Sequence, residues 1–227
     1  MAGLLLVRSL GCVVTAAPGT GSTSLLSFFT AVAPVEQRPV ADVVVDGIVT
    51  VDAKHATVAG LRAAGLLAPE EIAGLRIVTT TRNPFDFWAA EWHRTRTRWL
   101  AELRDPASWV HRQPGMLARI VDAVEQDFDP WLQRALGEKA DQGATMHLNH
   151  GHVVEADVVV RMEHMDADVA GLLAGAERGD DASDEVVVPH VNITPGARPY
   201  WQLYGVVSRA LVEQVHAPDL ERFGYRF

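Results

Sequence analysis

The stretch CVVTAAPGTGSTSLL, at residues 12–26, predicts the fold of this chain more directly than any other. Its short β-branched apolar run predicts a buried strand, and the pattern from Ser22 or Thr23 onward predicts a helix that begins with hydroxyl residues. The turn between them is rich in Pro, Gly, Thr and Ser. Free N–H groups at a helix N-terminus point at one spot, where the helix dipole also favours anions. The unit therefore predicts a phosphate-binding loop, formed by Pro18, Gly19, Thr20, Gly21, Ser22, Thr23 and Ser24.

The loop lacks the lysine of nucleoside triphosphatase loops. Against the pattern G-x-x-x-x-G-K-[ST], Ala16 stands at the first glycine and Ser22 at the lysine. An ATPase or a nucleotide kinase is therefore a poor match. Taken alone, the stretch is also typical of an ordinary connection between a strand and a helix.

Strand-like and helix-like stretches alternate along the rest of the chain. Residues 40–52 contain two β-rich runs split by an Asp-Gly turn signal, and residues 75–84 and 156–165 are further apolar runs. Helical patterns lie between and after them. The alternation predicts an α/β fold of three layers, with a mostly parallel central sheet flanked by helices. Without an internal repeat or a convincing boundary, we expect a single domain over residues 1–227.

The composition predicts a cytoplasmic protein. The chain has one cysteine, Cys12, which cannot form an intramolecular bridge and is typical of a reducing compartment. The N-terminal run of three leucines is too short for a signal sequence or a membrane span. The net charge of -9 argues against nucleic acid, whose binders need a broad basic face. We therefore expect neither a nucleic-acid nor a membrane partner.

Four motifs in order resemble those of sulfotransferases that use 3′-phosphoadenosine 5′-phosphosulfate (PAPS), the group that contains carbohydrate sulfotransferases. The loop resembles the family's P-x-T-G-S-T-S-L segment for the 5′-phosphosulfate, and RNPFD at residues 82–86 resembles its R-N-P-[FY]-[DE]-R turn for the 3′-phosphate. Residues 158–173 are similar to its strand that ends in an acidic residue before a D-x-x-x-L helix. Asn192-Ile193-Thr194 and the aromatic end match its N-x-[ST] segment and terminal helix. The resemblance spans about residues 12 to 227.

The resemblance implies a P-loop-like fold and an activity. The enzyme would move a sulfuryl group from the co-substrate PAPS to a hydroxyl of a small molecule or glycan. Arg82 would bind the 3′-phosphate, for which its planar fork is suited. The chain itself adds candidates that the family does not imply: Lys54 to steady the leaving group, and Arg94, Arg96, Arg98 or Arg198 to reach the nucleotide. His55 would be the general base, because it stands approximately where some of these enzymes have that histidine. For His55, the alternative is a histidine at a helix start with no chemical role.

The chain departs from the family at three positions. Gly19 stands where the family has lysine, Ala90 where it has serine, and Phe87 where it has the second arginine of the 3′-phosphate turn. A lost charge at the leaving group costs on the order of 100 to 1,000-fold in rate. The alternative is therefore a non-catalytic, sulfotransferase-like protein that binds a nucleotide or a partner.

Two further clusters have competing interpretations. His147, His150 and His152 could approach a metal together with Glu155 or Asp157, but a solvated loop explains them better, and we expect no metal. The tryptophans at positions 88, 92 and 99 could form a ligand platform beside arginines. Their helical spacing favours one buried helix face.

Overall fold

A computed structural model of the chain describes residues 3–46, 48–175, 186–191 and 198–227, apart from the side chain of residue 48. These residues form two compact units. Unit 1 holds the described residues of Met1–Arg82 and Leu148–Ile193, and unit 2 holds those of Asn83–His147 and Thr194–Phe227. The single domain stays a prediction, and the motif Asn192-Ile193-Thr194 lies outside the described residues.

The elements follow in chain order. The strands are β1 (Leu4–Val7), β2 (Cys12–Thr15), β3 (Glu36–Arg38), β4 (Val43–Val45), β5 (Ile48–Val51), β6 (Arg76–Thr81) and β7 (Val158–Arg161). The α-helices are α1 (Ser22–Val32), α2 (Val58–Ala63), α3 (Pro84–Arg94), α4 (Leu100–Glu102), α5 (Met116–Glu125), α6 (Phe128–Asp141), α7 (His150–Val153), α8 (Met165–Ala174), α9 (Val206–Val215) and α10 (Ala217–Phe223). A π-helical turn, Thr95–Trp99, joins α3 to α4. Short 3-10 turns cover Arg8–Leu10, Pro69–Glu71, Trp109–His111, Met162–His164 and Tyr200–Gln202.

The main sheet of unit 1 has five strands in the order β3-β1-β2-β6-β7. β2, β6 and β7 run parallel, whereas β1 is antiparallel to both β2 and β3. The expected α/β fold is therefore confirmed, but the sheet is mixed. The difference lies in β1, which was not predicted. Only residues 8–11 separate it from β2, and so short a connection permits only an antiparallel pair.

The sheet buries both of its faces, because successive side chains of a strand point to opposite sides. One core contains Leu5, Val7, Cys12 and Val14 together with residues of α1 and α8. The other contains Leu4, Leu6 and Val13 together with α2 and its flanking residues. Helices thus flank the sheet on both faces.

β4 and β5 form a separate antiparallel pair, as the Asp-Gly signal predicted. Asp46, the first residue after β4 and part of the turn, has a positive φ of 51°. Among the helices formed by the described residues, none is long and apolar enough to cross a membrane.

Unit 2 is helical, and its larger core lies among α3, α6 and α9. Trp88 and Trp92 pack against this core, whereas Trp99 packs in a second cluster with Val110, Met116 and Ile120. The predicted single buried face is therefore divided between two cores. The π-helical turn has more residues per turn than an α-helix. It therefore changes the direction in which Trp99 points relative to Trp88 and Trp92.

Candidate functional site

The candidate site lies in unit 1, where β2 ends and α1 begins. Gly19 and Gly21 both have left-handed backbone conformations, with φ of 75° and 78°. Glycine adopts this region without the steric cost that a side chain brings. The two glycines therefore allow the chain to turn sharply from the strand into the helix.

Four consecutive main-chain N–H groups are available in the loop. The main-chain hydrogen bonds of α1 begin at Ser24, whose N–H donates to Gly21 O at 2.9 Å. The N–H groups of residues 20–23 donate to no acceptor among the described residues. Donors in this position, at the start of an 11-residue helix, are of the kind that binds anions in other proteins.

Two of the loop hydroxyls form hydrogen bonds within the protein. Thr20 is fully buried; its Oγ1 donates to Ala17 O at 2.9 Å and is hydrogen-bonded to Thr80 Oγ1 at 2.5 Å. Ser24 Oγ accepts a hydrogen bond from the N–H of Val191 at 3.1 Å. The side chain of Thr20 is therefore engaged within the protein, and only its main-chain N–H is left to donate to a ligand.

His55 lies directly beneath the loop. Its Nδ1 is 2.8 Å from the carbonyl oxygen of Ala16, two residues before Pro18. Because a carbonyl oxygen can only accept, Nδ1 carries the hydrogen. In the neutral imidazole, Nε2 is then the nitrogen with the lone pair, which is the tautomer that a general base needs.

A second histidine, His152, supports this arrangement and was not predicted as a site residue. It is buried, and its Nδ1 is 3.3 Å from Thr15 Oγ1 at the end of β2. Burial, and to a smaller extent the charge of His55, lower the pKa of His152 to about 4. His152 is therefore neutral at physiological pH.

Asn149 is another site residue that the sequence did not reveal. Its Nδ2 donates to Pro18 O at 2.9 Å, and its own φ is 53°. Asparagine tolerates this left-handed conformation better than most residues do. A hydrogen bond from a distant segment has no local sequence signal, so only the fold shows it.

Arg82 reaches the loop from the end of β6. Its Nη1 donates to Gly19 O at 3.3 Å. The parallel pairing of β2 and β6 explains the approach, because their carboxyl ends meet at the same edge of the sheet. The structure thus brings His55 and Arg82 to the loop, and their roles there stay predictions.

Two predicted residues have no described contact with the loop. Lys54 is exposed, and its ammonium makes no hydrogen bond or ion pair with the described residues, although its main-chain N–H donates to Asp52 Oδ1 at 2.7 Å. Arg198 is an exposed residue of unit 2. The roles of both stay predictions.

The histidine-rich stretch at residues 147–152 does not gather around one point. His147 contacts the buried carboxylate of Asp219 in unit 2, with its Nδ1 2.8 Å from Oδ1. Glu155 caps α2 by accepting from the N–H groups of Val58 and Ala59 at 3.0 and 2.8 Å. Within the described ranges, no group of three His, Cys, Asp or Glu residues could hold a metal ion.

The chain matches no protein-family model, no curated protein and no solved structure. The function must therefore be argued from the geometry of the loop and its neighbours. This geometry offers main-chain donors for an anion, one guanidinium and one imidazole of defined tautomer.

Proposed function

We propose that this chain is a PAPS-dependent sulfotransferase that acts on a hydroxyl of a small molecule or glycan. The observation that carries the proposal is the contact between His55 Nδ1 and Ala16 O, which holds a potential base directly below an anion-binding loop. In the proposal, the loop binds the 5′-phosphosulfate and Arg82 binds the 3′-phosphate. The order of strand, loop and helix supports a P-loop-like fold for the nucleotide.

The proposed reaction is a direct transfer. The acceptor oxygen attacks the sulfur, and the bond between sulfur and the bridging oxygen of PAPS breaks. Nε2 of His55 takes the proton of the acceptor hydroxyl, and adenosine 3′,5′-bisphosphate leaves with the negative charge on its 5′-phosphate. N–H donors at a site where charge develops stabilise the transition state more than the ground state.

Arg82 is the cation that the structure brings to Gly19, where the family has lysine. Its guanidinium lies on the carbonyl of that residue, at 3.3 Å from the oxygen. In our proposal this guanidinium binds the 3′-phosphate, so another cation has to supply the charge that the absent lysine would give. Lys54 is the candidate for that charge, and its ammonium makes no hydrogen bond or ion pair with the described residues.

The proposed setting is the cytoplasm. Cys12 is fully buried, and burial raises the pKa of its thiol, which keeps it protonated and unreactive. Its Sγ donates to Leu10 O at 3.1 Å. A reduced, inert thiol of this kind fits a reducing compartment, and it takes no part in the proposed reaction.

The second candidate is a non-catalytic protein that binds a nucleotide on the same scaffold. The observation that favours it is the left-handed glycine at position 19 in place of a lysine. A nucleotide kinase is the weakest candidate, because Ser22 stands where such a loop needs lysine.

Calorimetry with adenosine 3′,5′-bisphosphate tests both nucleotide hypotheses. We expect binding with a dissociation constant in the micromolar range, and no heat of binding at millimolar ligand would overturn both. Radiolabelled sulfate transfer from PAPS to a panel of sugars and phenols then separates them. Transfer that is lost in His55→Ala, with nucleotide binding intact, supports the enzyme.

The same titration tests the role of Arg82. We expect Arg82→Ala to weaken binding of the bisphosphate at least about tenfold, because the guanidinium is hydrogen-bonded to the loop and would form charge-assisted bonds to a phosphate. Arg62→Ala, an exposed arginine in α2, is the control and should bind normally. An unchanged affinity in Arg82→Ala would refute the assigned phosphate contact.

A further inference from the structure

Unit 2 contains a strongly basic segment. Residues 93–119 contain six arginines and only two acidic residues, whereas the whole chain has a net charge of -9. Positive charge is thus concentrated in one short stretch of an acidic protein. This stretch includes the π-helical turn, α4 and the beginning of α5.

Most of these arginines have no carboxylate partner. Arg94 and Arg119 both form ion pairs with the buried Glu91. By contrast, the four others form no ion pair within the part of the chain that the structure describes; they are Arg96, Arg98, Arg104 and Arg112. Arginines in other parts of the chain are often paired, as in Arg8–Glu36, Arg161–Asp168 and Arg209–Glu213.

Apolar side chains are exposed among these cations. Leu100 and Trp109 have relative exposures of 41% and 37%. An open groove of about 460 Å³ is lined by Arg96, Thr97, Leu100, Ala101, Leu103 and Arg104. We call the side chains of Arg96, Arg98, Leu100, Arg104, Trp109 and Arg112 the arginine surface. All are exposed except Arg96, which is half-buried with its guanidinium carbon 4.3 Å from the centroid of the Trp92 ring.

The residues beneath this surface are firmly held. The Trp99 ring lies 5.2 Å from the guanidinium carbon of Arg94 and 5.3 Å from that of Arg119, and it packs edge-on against Trp109 at 5.5 Å. Leu103 packs in the cluster formed by Val110, Met116 and Ile120. The exposed side chains therefore stand on an ordered base.

We propose that the arginine surface docks on an anionic lipid bilayer. Guanidinium groups without carboxylate partners complement the negative headgroups, and Leu100 and Trp109 supply the apolar contacts that membrane-surface segments insert at the interface. Such contact needs no spanning helix, so it is compatible with the helices observed. The charge of the rest of the molecule acts weakly across a distance greater than the Debye length.

The observations favour a bilayer over nucleic acid. RNA would engage the arginines, but its phosphates would leave the leucine side chain without an apolar environment. On the neighbouring helix α5, the exposed residues Leu117, Val121 and Val124 have the spacing of one helix stripe, and they add apolar area close to the basic segment. A bilayer interface accommodates both the cationic and the apolar side chains.

Cosedimentation of the whole protein with vesicles tests the proposal independently of any nucleotide binding. The vesicles contain phosphatidylcholine alone or phosphatidylcholine with roughly one third phosphatidylglycerol. We expect binding to the anionic vesicles only, and loss of that binding at about 0.5 M salt, where the charges are screened. Equal binding to both vesicle types, or none to either at low salt, would overturn the proposal.

Charge reversal identifies the surface. Arg98→Glu/Arg104→Glu should weaken vesicle binding at least about tenfold. The control Arg62→Glu/Arg226→Glu makes the same change in net charge at two exposed arginines elsewhere and should bind nearly as the unaltered protein does. Equal loss in both variants contradicts the assignment. Binding to a polyuridine RNA that depends on Arg98 and Arg104, without vesicle binding, would also overturn it.

Discussion

Gly19 is the residue that decides between an enzyme and a non-catalytic protein. The family that the chain resembles has a lysine there. Gly19 has a φ of 75°, which residues other than glycine adopt only at a cost in conformational energy. The same residue offers its carbonyl to Arg82. The loop therefore combines a backbone suited to glycine with a cation supplied by another element.

Replacement of Gly19 separates backbone strain from charge. Gly19→Ala and Gly19→Lys should each lower the free energy of unfolding by about 1 kcal/mol, because both place a side chain at positive φ. Only Gly19→Lys should change nucleotide affinity or sulfate transfer, since only it adds charge. Denaturant unfolding and calorimetry measure the two effects. Transfer that stays unaltered in Gly19→Lys would show that Lys54 or an arginine already supplies the charge.

His152 predicts a dependence of stability on pH. Its pKa is lowered from 6.5 to about 4 in the folded protein, so the unfolded chain binds more protons between these values. Its contribution is fully present above pH 6.5 and is lost as the pH falls through about 4. The loss should reach up to about 3 kcal/mol. In urea titrations over this range, His152→Gln should show a smaller slope of stability with pH, and an identical slope would contradict the shift.

At the scale of elements, the loop is joined to α8 as well as to the sheet. A Cβ atom at Gly21 would lie 3.0 Å from Met162 Cγ and 3.0 Å from Met165 Cε. Gly21 is also the N-cap of α1. The helix thus begins where the segment leading into α8 approaches its backbone, and a side chain would have to displace two methionines.

Gly11 provides a matched control for this contact. Its φ of 61° is also positive, but a Cβ there would meet nothing within 4 Å. Gly11→Ala should therefore cost about 1 kcal/mol of stability, and Gly21→Ala about 2 kcal/mol, since crowding adds to strain. Met162→Ala should relieve part of the additional cost. Equal costs at the two glycines, measured by chemical unfolding, would show that the methionines simply move aside.

The sequence predicted the elements whose signals are local. The β2–loop–α1 unit, the β4–β5 hairpin and the strand before Arg82 all follow from apolar runs and turn residues. The strand β1 was not predicted, because its three leucines were considered only as a possible signal segment. Asn149 and His152 were not predicted as site residues, because they depend on contacts between segments more than 100 residues apart in sequence.

At the scale of the molecule, ligand binding should raise the stability of the folded state. A ligand at about 100 times its dissociation constant adds about 2.7 kcal/mol to the free energy of unfolding, if it binds only the folded state. We therefore expect adenosine 3′,5′-bisphosphate to raise the melting temperature by several degrees and adenosine to raise it less. Arg82→Ala should reduce the shift at equal ligand concentration. A shift that is the same with both ligands would argue against recognition of the phosphates.

Hydrogen bonds among the buried threonines below the loop determine how the loop is oriented. Thr15 donates to Thr79 across β2 and β6 at 2.9 Å, and Thr80 bonds to Thr20 in the loop. Valine has nearly the same shape as threonine but cannot form directional bonds. A chain with valine at these positions could keep its tightly filled interior and still lose the orientation of the loop. The packing of the fold therefore depends on the shape of these side chains, whereas the orientation of the loop depends on their hydroxyl groups.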